Sequence, residues 1–126
     1  MKKTAIHTDK GPSAIGPYSQ AIKAGDAIHV SGMLGVVPET GAFAGPDIVS
    51  QTRQSLTNVS NILEAAGASM ADVVEVTVLL AQISDFSAMN DVYAEFFSEP
   101  YPARAAYEVA ALPRGGLVEI KVVAKA

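Results

Sequence analysis

The chain has 126 residues, of which 49% are hydrophobic and only 17% charged, with a formal net charge of -4 and no cysteine. That length suits a single domain over residues 1–126, and the shortage of charge, against about a quarter of residues in an ordinary chain, predicts that a second copy covers some apolar surface. The acidic balance, with no Lys or Arg cluster, argues against a nucleic-acid partner, and the lack of cysteine excludes disulfides, thiolate nucleophiles and Cys-ligated metals.

Met1 to Lys10 is basic but leads into no apolar stretch, so no signal peptide is expected. No apolar run nears the roughly 18 residues of a membrane span, since Glu75 interrupts the longest. A cytoplasmic protein without a membrane partner is the expectation. Strands are predicted at Ala5–Thr8, Ser19–Ala24 and Ala27–Ser31, the last two joined as a hairpin by Gly25-Asp26. A helix follows, with Pro46 in its first turn and Asp47 near its positive end. Ile48, Thr52, Leu56, Val59, Leu63 and Ala66 recur every three or four residues up to a stop at Gly67. Val73–Gln82 reads as a strand, and a second helix is predicted from an N-cap at Ser84 through Phe86, Met89, Tyr93 and Phe96 or Phe97 to Pro100. Arg104–Leu112 and Leu117–Ala124 read as a final hairpin around Pro113-Arg114-Gly115-Gly116.

The order β-β-β-α-β-α-β-β predicts an α+β fold, a mixed sheet of about six strands with two helices on one face. In the last strand Val118, Ile120, Val122 and Ala124 share the helix-covered face, opposed to Leu117, Glu119, Lys121 and Val123. In the central strand Val74, Val76, Val78 and Leu80 are predicted inward and Val73, Glu75, Thr77, Leu79 and Ala81 outward. The outward set is mixed rather than polar, which predicts a homo-oligomer packed sheet to sheet.

Arginines are few: Arg53, Arg104 and Arg114. Arg53 and Arg114 read as solvated, whereas Arg104 opens a strand between small uncharged neighbours and offers a fork of donors for a carboxylate, or for a structural ion pair. Glu119, on the uncovered face of the adjacent hairpin strand, is either ion-paired or, in a drier cleft, a proton acceptor with a raised pKa; Glu75 and Glu108 are alternatives. Tyr18 follows a turn and either closes over a ligand or simply packs. Ser31-Gly32 lacks a nucleophile-elbow pattern, and His7 and His29 have no acid at useful spacing, so neither a triad nor a metal site is expected, and no cofactor.

Together these residues resemble the RidA/YjgF family of reactive-intermediate (enamine/imine) deaminases. The likeness runs through Ile15-Gly16-Pro17-Tyr18-Ser19-Gln20-Ala21, Val30-Ser31-Gly32, Pro38-Glu39-Thr40-Gly41, Asn58 to Gly67, Asp85-Phe86 with Asn90, and Tyr93 to Phe97. It ends in Tyr101-Pro102-Ala103-Arg104, Leu112-Pro113 and Val118-Glu119-Ile120. The resemblance implies a chorismate-mutase-like homotrimer, with ligand clefts between subunits. It also implies hydrolysis of 2-imino acids, tautomers of enamines such as 2-aminoacrylate, to 2-keto acids and ammonia. By position it gives Arg104 the substrate carboxylate and Glu119 the attacking water. Tyr18, Ser31, Gly32 and Asn90 would form the walls or their support, and Ala106 a contact. Departures are Met33-Leu34-Gly35, where Gln and Pro are common, and Ala106, where Cys or Thr is frequent. The alternative is a non-catalytic module that binds or senses a keto acid through the same cleft.

Overall fold

The computed structural model describes residues 2–126. Its elements are β1 (Lys3–Ile6), β2 (Ala21–Ala24), β3 (Ala27–Leu34), α1 (Ile48–Ala65), β4 (Val73–Leu80), α2 (Phe86–Tyr93), β5 (Ala103–Glu108) and β6 (Val118–Lys125). The six strands form one sheet in the order β1-β2-β3-β6-β4-β5, antiparallel except for β4 and β5. Within the described residues no helix is long and apolar enough to cross a membrane.

Local chemistry sets the ends of α1. The Asp47 side chain accepts from the Ser50 N–H at 2.9 Å and so caps the helix, which puts Pro46 just before the cap rather than in the first turn. At the other end Gly67 takes a φ of 84°, and the N–H groups of Gly67 and Ala68 return to the carbonyls of Glu64 and Leu63. This is a Schellman closure that a side chain at 67 would strain. Leu56, Val59, Ile62 and Leu63 are fully buried against the inward row Val118, Ile120, Val122 and Ala124, so the expected helix stripe and sheet face meet.

Helix α1 also buries polar side chains, three of which, Gln51, Ser55 and Asn58, are tied to backbone, while the Thr52 hydroxyl is buried without a partner. Ser55 Oγ donates to the Met33 carbonyl at 2.6 Å, and Asn58 Nδ2 donates to Val36 at 2.9 Å and Leu34 at 3.2 Å. Gln51 accepts from the Leu117 N–H and donates to the Gly45 carbonyl, both at 2.9 Å. Helix and strand are so close here that a Cβ on Gly35 would collide with the Gln51 backbone. These bonds fix the end of β3 and the approach to β6.

Several expectations are corrected. The last two strands form no hairpin: β6 inserts between β3 and β4, and β5 lies outside β4, parallel to it. The linker crosses the end of β4, with Val109 donating to the Leu80 carbonyl and the Ala81 N–H donating to Leu117. Nine residues separate Glu108 from Val118 and can span a strand that a two-residue turn could not. A bulge between Val73 and Glu75 shifts the phase of β4, so Val73 is buried and Val74 is 52% exposed. Helix α2 starts after a 3₁₀ turn at Ile83–Asp85 and ends at Tyr93, although Phe97 still packs on the Tyr93 ring, centroids 4.5 Å apart. At their ends, β1 starts and stops two residues early, β3 runs on to Leu34 and β5 stops at Glu108.

Candidate active site

Glu119 pairs in register with Leu34 of β3 and Leu79 of β4, on the sheet face that the helices leave open. Between Val30 and Met33 β3 carries one residue more than β6, a bulge at Ser31-Gly32. A Cβ on Gly32 would stand 2.9 Å from Glu119 Cδ and 3.0 Å from Cγ, so the carboxylate lies over backbone that only glycine leaves bare. Burial pushes the Glu119 carboxyl above its ordinary value of 4.5, and no hydrogen bond or cation offsets the shift.

Tyr18, Ser31, Gly32, Glu119 and Arg114 line one open trough of about 1260 Å³. Tyr18 is half exposed at its rim, two residues after Gly16, whose φ of 123° suits glycine alone. Ser31 Oγ donates to the Ser19 carbonyl at 2.6 Å, and buried Gln20 is bonded to Thr8 and Pro12. Ser31 therefore holds the Tyr18 segment, and its proton is committed to that task. Arg114 donates to the Gly41 carbonyl at 2.8 Å and lies over the Phe43 ring, while Arg53, expected as solvated, pairs with Glu95 at 2.8 Å.

Arg104 is on the other side. It pairs with Val76, a buried residue of the helix-covered face, and reaches α2. Its Nη1 donates to Asn90 Oδ1 at 2.6 Å, and its guanidinium carbon stands 4.6 Å from the Tyr93 ring centroid and 5.4 Å from that of Phe86. Arg104, Asn90, Tyr93, Ala94, Tyr101 and Pro102 line a smaller hollow of about 460 Å³. Burial raises the Tyr93 phenol pKa, while the charge of Arg104 pulls it down.

Within one copy the expected site residues thus fall into two groups. Tyr18, Ser31, Gly32 and Glu119 stand together on the open face, and Arg104 and Asn90 stand together under α2. Glu119 is not on a strand adjacent to Arg104, because β4 separates β6 from β5. Ala106 shares the face of Arg104 but packs at the edge of the core and lines neither hollow. Phe86 and Tyr93, which the periodicity assigns only to a buried stripe, also face Arg104. Their spacing from Asn90, four and three residues, is the signal that places all three on one helix face.

The family described as Endoribonuclease L-PSP matches residues 8–126. A 2-iminobutanoate/2-iminopropanoate deaminase of Capra hircus is 53% identical over 124 residues, covering 98% of this chain and 90% of that protein. Among solved structures, a RidA from the Antarctic bacterium Psychrobacter is 47% identical with a TM-score of 0.94, over 98% of this chain and 99% of that one. TdcF of E. coli with bound serine is 39% identical with a TM-score of 0.93, over 98% of each chain. With a match across nearly its whole length, the chain belongs to the Endoribonuclease L-PSP family, the RidA/YjgF family that its motifs resemble.

Proposed function

We propose that the chain is a hydrolytic deaminase of 2-imino acids that works as a chorismate-mutase-like homotrimer, Arg104 of one copy and Glu119 of a neighbouring copy facing one cleft. The observation that carries the reading is Glu119, a half-buried carboxylate with a raised pKa, seated over Gly32 in an open trough and making no salt bridge among the described residues. A structural ion pair would look different. The names of the relatives, 2-iminobutanoate/2-iminopropanoate deaminase and RidA, support the substrate class, and the serine bound to TdcF supports a small ligand with a carboxylate. The half-apolar open face, with Ile22, Leu79, Leu117 and Val123 only partly covered, supports assembly through that face.

The chemistry needs little. Arg104 holds the substrate carboxylate, which fixes the imine carbon. Water attacks that carbon while Glu119 takes one of its protons, giving a carbinolamine; the proton passes to the amine nitrogen, Glu119 takes the remaining hydroxyl proton as the C–N bond breaks, and ammonia leaves a 2-keto acid behind and picks up that proton as ammonium. Water and a protonated imine thus balance a keto acid and ammonium, with no redox step. Ser31, Gln20 and Tyr18 shape the wall, and Asn90 steadies Arg104.

The test generates 2-iminopropionate in situ with an amino-acid oxidase and follows semicarbazide trapping. Wild-type protein should suppress the semicarbazone, and Arg104→Ala should raise KM about 10- to 100-fold, the loss of one charge-assisted contact. No hydrolysis above buffer, or an Arg104→Ala variant as active as wild type, sinks the reading. Keto-acid binding that is lost in Arg104→Ala without any hydrolysis would instead identify a binding module.

A further inference from the structure

We infer that Phe86 and Tyr93 are positioning residues for carboxylate binding: their ring faces, together with Asn90, hold the Arg104 guanidinium so that its Nε–Nη2 edge is left for the ligand. The inference rests on the reading of Arg104 as the carboxylate-binding group. Arg104 is exposed, and a long side chain loses rotamer freedom when it takes hold of a ligand. One that is already held loses less. Here one face of α2 does the holding, through the Asn90 bond at 2.6 Å and the rings at 4.6 and 5.4 Å.

The remaining donors match a carboxylate. With Nη1 given to Asn90, Nε and Nη2 are left, the same pair with which Arg53 grips Glu95, Nη2 at 2.8 and 3.1 Å and Nε at 3.4 Å. Rings also differ from an acid as supports, because a π face attracts the cation without discharging it, so Arg104 keeps its charge for the ligand. The Tyr93 hydroxyl is buried and makes no hydrogen bond of good geometry, although it lies near enough to Arg104 to feel its charge. What Arg104 meets is the ring, and phenylalanine should serve in its place.

Pyruvate, titrated calorimetrically, is the probe, alongside hydrolysis of 2-iminopropionate. In Tyr93→Leu and in Phe86→Leu pyruvate affinity should fall and KM should rise about three- to tenfold, with kcat changed by less than about twofold. Tyr93→Phe should rescue both values lost in Tyr93→Leu. A purely structural role would lower the Tm of the leucine variants and leave pyruvate affinity and KM at wild type, and that result overturns the inference, as does a Tyr93→Phe no better than Tyr93→Leu. Should Tyr93→Leu not fold, Phe86→Leu decides alone. If wild-type protein hydrolyses no imine while pyruvate affinity still follows this pattern, the deaminase reading fails and the positioning role stands; if Arg104→Ala binds pyruvate as wild type does, both fail.

Discussion

Arg104 and Glu119 stand on opposite faces of one sheet, the first in register with inward Val76 and the second with outward Leu79 of the strand between them. No side-chain movement within one copy brings them across β4. If both act on one substrate, each site takes one residue from each of two copies. Arg104→Ala and Glu119→Gln should then each lose activity about 100-fold. Mixed by co-refolding in equal amounts, they should recover about a quarter of wild-type activity, because in a randomly mixed ring that share of interfaces is intact on both sides. A mixture no more active than its parts would show that the two residues do not share a site.

The pH profile follows from Glu119. Burial holds its carboxyl above 4.5, and only the ionised form can accept a proton from water. The acidic limb of kcat should therefore lie above 4.5 and vanish from the residual rate of Glu119→Gln. Stability should move the opposite way. A folded pKa raised above the unfolded one means that the folded state binds the proton more tightly, so the contribution of this group to stability is fully present below 4.5 and is lost as pH rises through the raised value. Thermal unfolding at pH 7 should give Glu119→Gln a higher Tm than wild type, with the difference closing near pH 4. A Tm gap that is the same at both pH values would remove burial as the cause.

Gly32→Ala tests whether the bulge positions the carboxylate. The added Cβ would stand 2.9 Å from Glu119 Cδ, and the flexible end of that side chain is what must yield. We expect kcat to fall about 10- to 100-fold, the order that a misplaced catalytic group of about 1 Å produces, with stability lowered by less than about 1 kcal/mol. A variant with wild-type kcat would show that glycine is there for another reason.

The stripes of α1 and the inward row of β6 were legible because each is a local period, readable without knowing the neighbours. Strand order was not. The alternation of β6 tells which side chains share a face but is silent on which strands flank it, so a Pro-Gly-rich linker that crosses β4 reads as a turn. Val73 and Val74 are both apolar, and the bulge that exposes one and buries the other leaves no mark in the composition. Glu119 and Arg104 could be picked out by type and neighbours, and their roles came from the family resemblance. The helix face that carries Phe86, Asn90 and Tyr93 against Arg104 was hidden because an aromatic stripe reads first as core. Gln51, Ser55 and Asn58 were hidden as well, since polar residues on a helix read as its wet side.

Asn58 carries a stability prediction of its own. It is fully buried in α1, accepts from Gln54 Nε2 at 2.8 Å, and its own amide serves the carbonyls of Leu34 and Val36 where the chain leaves β3. Asn58→Ala leaves both carbonyls without that donor. A buried polar group left unpaired costs about 1–3 kcal/mol, so the loss should reach about 2–4 kcal/mol in urea unfolding, with the m-value unchanged. Leu34 is the register partner of Glu119, so the same change should loosen the trough and lower kcat below the fall expected from the unfolded fraction alone. A loss under about 1 kcal/mol would show that the two carbonyls find other partners and that the helix does not anchor this end of the site.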